Sequence, residues 1–113
     1  MAKSKSSKKT KLILKSKSII QKNKNYCFIC SRNGQSDPLD EHHCFGGINR
    51  NNSEKYGLKI YLCHHKCHIF GENAVHANAT LDKEVKRMAQ VEAMVHYGWT
   101  EDEFRAIFGK SYL

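Results

Sequence analysis

A small α+β domain, with a basic arm ahead of it and helices at its C-terminal end, is the fold this 113-residue sequence predicts. Three observations carry the prediction. Two cysteine pairs, Cys27-x2-Cys30 and Cys63-x3-Cys67, are spaced to pin short strands and turns together. Apolar residues alternate with others over residues 58–62 but recur at three- and four-residue spacings over residues 81–95, a change from strand to helix period. Finally, the positive charge excess lies entirely before Tyr26.

The arm comes first. Residues 1–25 contain nine lysines, among them Lys3, Lys5, Lys8, Lys9, Lys11, Lys15 and Lys17, and no acid. The remaining residues hold ten basic and eleven acidic side chains, a net charge of −1 out of +8 for the whole chain. A Ser/Lys-rich stretch of this kind cannot build a core, so a mobile arm that tracks a polyanion is expected, with DNA as the partner. The apolar clusters Leu12 to Leu14 and Ile19-Ile20 are interrupted by Lys15 and Lys17, which argues against a secretory signal. No stretch approaches the ~18 apolar residues of a membrane span.

Within 26–113, Tyr26 to Cys30 reads as a strand entering a metal knuckle, closed by the turn Ser31-Arg32-Asn33-Gly34. Pro38 to Cys44 leads into Phe45-Gly46-Gly47, where paired glycines permit a sharp reversal. Asn49 to Lys55 reads as a polar loop, and Leu58 to Leu62 as a second strand ending at Cys63. Thr80 or Asn78 can cap a long helix that stops at Gly98. Thr100-Glu101-Asp102-Glu103 then forms a capping box for a short helix bearing Phe104, Ile107 and Phe108 and ending at Gly109.

Zinc takes four thiolate or imidazole ligands in a tetrahedron, and a tight turn lets two thiolates reach one ion. Cys27, Cys30, Cys63 and Cys67 can therefore close around a structural Zn²⁺, which a domain of this size needs to supplement its core. The second pair has three intervening residues rather than two, so His64 or His65 could replace Cys67. An odd count of five cysteines fits a disulfide framework poorly, and Cys44 is left to a buried structural role. Five of the seven histidines fall between positions 42 and 68. His64 and His68, four apart, could share a helical face and a metal.

The set Cys27-x2-Cys30, Glu41-His42-His43, Gly46-Gly47, Cys63-x3-Cys67-His68 and His76 resembles the HNH endonucleases, the ββα-metal fold. It resembles in particular the small HNH proteins encoded by bacteriophages and prophages. The stretch from Asn49-Arg50 to Leu58 and the ending Ile107-Phe108-Gly109-Lys110-Ser111-Tyr112-Leu113 look similar too. This resemblance implies a zinc-stapled, treble-clef-like HNH domain over 26–113, working in the cytoplasm of a bacterial host. It implies that His42 ligates a catalytic divalent cation (Mg²⁺, Mn²⁺, Ni²⁺ or Zn²⁺), with His68 and His76 as the matching further ligands, and that His43 is the general base. Strand alternation independently gives adjacent histidines different directions. Eight residues of one continuous helix rise about 12 Å, so the chain must bend between His68 and His76, with Gly71 and Asn73 the expected place.

The family's asparagine would stand near Leu58. Its part, a hydrogen bond to His43, falls to Asn49, Asn51 or Asn52, with Asn52 the primary candidate, or to a backbone carbonyl. Arg50 is the candidate phosphate clamp. The function implied is hydrolysis of DNA phosphodiesters to 5′-phosphate and 3′-hydroxyl ends, with phage replication, recombination or packaging proteins as candidate partners. The rival reading is a non-catalytic zinc module that binds nucleic acid.

Overall fold

The computed structural model describes residues 16–113. It is a small α+β fold with a two-stranded antiparallel sheet, β1 (Leu39–His43) paired with β2 (Lys59–Cys63), and helices around it. The register sets His42 opposite Ile60 and His43 opposite Lys59. Alternation thus sends His42 and Asp40 to one face, and His43 and Glu41 to the other.

The strands are joined by a 3₁₀ turn (Gly47–Asn49) running into helix α1 (Arg50–Tyr56). The expected polar loop over 49–55 is therefore corrected: most of it is helix. Only Ser53 is buried in α1, and its hydroxyl closes on the backbone of Phe45 from both sides, donating to the carbonyl at 2.8 Å and accepting from the N–H at 2.9 Å. Gly57 ends α1 at φ 71°, and an added Cβ would meet the Lys17 carbonyl.

The strand expected from Tyr26 to Cys30 is also corrected. These residues form turns, with Ser31 N–H donating to the Cys27 carbonyl at 2.9 Å and Phe28 N–H to Tyr61 at 2.8 Å. Turning, rather than extending, is what brings the Cys27 and Cys30 thiols to one side. Beyond β2 the chain makes a wide π-type turn (His64–Ile69), reverses near Gly71, and forms a 3₁₀ turn (Val75–Ala77).

Helix α2 (Ala79–Tyr97) starts at Asn78, whose side chain accepts from Leu81 N–H at 3.0 Å, and ends at Gly98. Helix α3 (Glu101–Phe108) carries the expected Thr100/Glu103 capping box. The core sits between sheet and helices. Leu58, Ile60 and Leu62 from the sheet side share one buried cluster with Val85, Ala89 and Ala93 of α2, and Phe45 packs on Phe104 and Phe108 of α3. Gln90, fully buried, donates to Ser111 at 3.0 Å and accepts from Tyr112 N–H at 2.7 Å, which fixes the C-terminal residues on α2.

Residues 16–25 pack on this unit, although the sequence assigns them to the arm. Ile19 N–H donates to Gly57 at 2.9 Å, and buried Gln21 accepts from Tyr61 N–H at 2.8 Å while donating to the Tyr26 carbonyl at 2.8 Å. Lys3, Lys5, Lys8, Lys9, Lys11 and Lys15 lie outside the described residues; Lys17 is exposed. Among the described residues no helix is long and apolar enough to cross a membrane.

Candidate metal centres and active cleft

Four thiols converge first. The Sγ atoms of Cys27, Cys30, Cys63 and Cys67 all lie within 4.8 Å of one another, with Cys30 and Cys63 3.7 Å apart. A tetrahedron with Zn–S bonds of about 2.3 Å has sulfurs about 3.8 Å apart, so the group is positioned to bind a metal ion such as structural zinc. All five cysteines are free thiols, and Cys67 keeps its place in the group. The extra residue between Cys63 and Cys67 is absorbed by the π-type turn, which is wider than an α turn. Burial pushes the Cys27 thiol up, but N–H donors from Cys30, Cys63 and Ile29 outweigh it and bring the group down to about 7. A thiolate is thus favoured at Cys27, while burial and the neighbouring thiols push Cys63 up to about 11 and raise Cys67 as well. Asp37 anchors the turn by accepting from His65 and Lys66 N–H at 2.9 and 3.0 Å. Cys44 is buried outside this group, and burial raises its thiol to about 12.

A second convergence lies on the other side of the wide turn. His42, His68 and His76 bring ring nitrogens within 4.8 Å of one another, with ring centroids 4.7 to 5.1 Å apart. The chain bends between His68 and His76, where Ala74 N–H donates to Gly71 at 2.9 Å. His42 is 4% exposed, and its Nε2 is buried with no hydrogen-bond partner. Burial, reinforced by the neighbouring His68 and His76 rings, pushes its pKa down to about 3. A neutral imidazole with an unshared lone pair aimed at two others suits a cation.

His68 is held from behind. Its Nδ1 lies 2.8 Å from Asp40 Oδ2, which leaves Nε2 for the shared centre. The same carboxylate oxygen meets His64 Nδ1 at 2.5 Å. The pair His64/His68 does approach a common point with Asp40. One imidazole serves two ions only as a doubly deprotonated bridge, so Asp40 is read as the group that orients both rings.

On the opposite face of β1, His43 Nε2 lies 2.8 Å from Glu54 Oε1. Lys59, 1% exposed, sets its ammonium 2.8 Å from Glu54 and 3.1 Å from Glu41. Burial alone would raise the Glu54 carboxyl, but donors from Lys59 and His43 dominate and hold it at about 2. Glu41, His43 and Glu54 also cluster tightly enough for a metal, but the Lys59 ammonium already supplies the cation there.

These positions correct one expectation and bear on another. Asn52 does not supply the bond to His43: its amide donates to the Ile107 carbonyl at 3.1 Å and to Asn49 at 3.4 Å. Asn49 likewise donates to Phe108 at 2.8 Å, so both asparagines fasten α1 to α3. Asn51 is exposed. Arg50 is exposed on α1 and does not line the cleft described next. Sequence reasoning missed Glu54 because it was assigned to a loop, where a side chain's direction is not readable; Gly57, a helix-stop residue three positions on, was the available signal.

A cavity of about 540 Å³ is lined by both His42 and His43, with Gly46, Gly47, His76, Asp82, Lys86 and other residues. Among the described residues Lys86, from α2, is the only lysine or arginine in that lining, and its ammonium lies 2.9 Å from Asp82. Comparison of the chain with family models, with curated proteins and with solved structures finds no match in any of the three.

Proposed function

We propose that this chain is a metal-dependent DNA endonuclease of the HNH type, a reading supported by one observation above all. Three histidines from β1, the wide turn and the following 3₁₀ turn converge beside a cavity whose lining takes in His42, His76 and also the next residue of the strand, His43. A module that only binds nucleic acid needs the thiol group and the positive charge but has no use for this second set.

In this reading His42, His68 and His76 hold a divalent cation, with Asp40 fixing the His68 ring. Such an ion supplies Lewis-acid stabilisation of charge developing on phosphate and leaving oxygens. His43 accepts the proton of the attacking water at the ring nitrogen that does not face Glu54. Lys86 retains ammonium protons beyond the one given to Asp82 and is placed to meet a phosphate in the cleft. The thiol group, loaded with zinc, keeps the wide turn in shape. The treble-clef-like arrangement, phage origin and 5′-phosphate products follow from the family resemblance of the sequence.

The test is supercoiled-plasmid nicking across Mg²⁺, Mn²⁺, Ni²⁺ and Zn²⁺ with wild type and His43→Ala side by side. Nicking by wild type that is lost in His43→Ala, with fold and zinc content intact, supports the reading. Equal nicking by the two proteins, or none with any metal, overturns it.

A further inference from the structure

Glu54 presents a carboxylate to His43 from a helix that the sequence conceals. Its two oxygens are fully committed. Oε1 meets His43 Nε2 at 2.8 Å, while Oε2 accepts from Lys59 Nζ at 2.8 Å and from Ser16 N–H at 3.0 Å. The pair is secluded, the His43 and Glu54 side chains being 9% and 15% exposed. Lys59 is more secluded still and stands directly across the ladder from His43.

An ionised carboxylate only accepts hydrogen bonds, so a singly protonated His43 ring beside it carries its proton on Nε2. Nδ1 is then bare and is the nitrogen turned away from Glu54, on a residue that lines the cavity shared with His42 and His76. We propose that Glu54 is the positioning residue of His43: it fixes the tautomer in which Nδ1 is the proton acceptor, with Lys59 holding the carboxylate ionised. This rests on the nuclease reading for its catalytic meaning, but not for the tautomer itself.

The isosteric change Glu54→Gln separates this role from simple support. A glutamine has one acceptor oxygen, which the Lys59 ammonium and Ser16 N–H claim. Its NH₂ is then left facing His43 Nε2, which must accept, and the ring proton moves to Nδ1. A comparable acid-to-amide change behind the histidine of a serine-protease triad leaves the geometry intact and lowers kcat roughly 10⁴-fold through the wrong tautomer. Glu54→Asp keeps the charge and serves as the conservative rescue.

The experiment uses full-length, zinc-loaded protein labelled with ¹⁵N-histidine. Ring ¹⁵N–¹H correlation spectra assign the His43 tautomer, and plasmid nicking gives kcat and KM. Wild type should show protonated Nε2. Glu54→Gln should show protonated Nδ1 with kcat reduced about a hundredfold or more and KM little changed, and Glu54→Asp should restore both readouts in part. Unchanged tautomer and rate in Glu54→Gln overturn the proposal. If Glu54→Gln fails to fold, the wild-type tautomer decides: protonated Nδ1 there overturns the proposal. A tautomer switch in a protein whose wild type nicks no DNA supports the positioning role and sinks the nuclease reading instead.

Discussion

Leaving a buried polar atom without a partner costs about 1–3 kcal/mol, and His42 carries such an atom where three imidazoles meet. A bound cation removes that penalty, so metal content is the measurement to make. Wild type should retain two ions per chain, one resisting mild chelation, whereas His42→Ala should retain the resistant ion alone. Atomic absorption on purified protein checks this. Loss of both ions in His42→Ala would show that the two groups are not separate sites. Glu54 makes a prediction in pH. Its carboxyl sits at about 2, below the ordinary 4.5. A carboxylate with a depressed folded pKa contributes full stability above about pH 4.5 and loses it as pH falls towards 2. Denaturant unfolding of wild type should therefore weaken steeply across that window, and Glu54→Gln should show a shallower decline.

At the scale of elements, α1 is the part that sequence reasoning misread. Its seven residues, RNNSEKY, show no apolar period, because the helix fully buries only Ser53, packs a single aromatic, Tyr56, on Tyr97, Trp99 and Phe108, and is otherwise held by side-chain bonds from Asn49 and Asn52 to the end of α3. Periodicity reads helices stabilised by an apolar face, as α2 and α3 are, and is blind to one fastened by amides. The same blindness hid Glu54. By contrast, both cysteine pairs are legible in their spacing, since ligand chemistry fixes residue type and separation whatever the local structure, whereas the grouping of His42, His68 and His76 enters only through the family resemblance. Asn52→Ala should cost about 1 kcal/mol of stability, the worth of an ordinary hydrogen bond, and leave the nicking rate of the folded protein within a few-fold of wild type. A hundredfold loss would return Asn52 to the chemistry. Gly57→Ala should destabilise by about 1–3 kcal/mol from left-handed strain alone, with further cost from the clash with Lys17; thermal melts measure it.

For the whole molecule, the packing of residues 16–25 bears on the proposed contact with DNA. Because residues 16–25 pack on the sheet and α1, an arm deletion has to leave them in place. Removing residues 1–15 takes away six lysines. If all six meet phosphates, the slope of log affinity against log salt should become shallower by about 5. Titrations of a labelled duplex at several salt concentrations read this directly, and an unchanged slope would exclude the arm from contact. The wide turn joins the two metal groups more intimately than their separate chemistries suggest, for Cys67 belongs to one and its immediate neighbour His68 to the other. Mild peroxide attacks sulfur long before imidazole, yet here a lesion confined to sulfur would unmoor the adjoining ring. Oxidant damage and recovery with a reducing agent should therefore be visible in the behaviour of a centre that contains no sulfur at all.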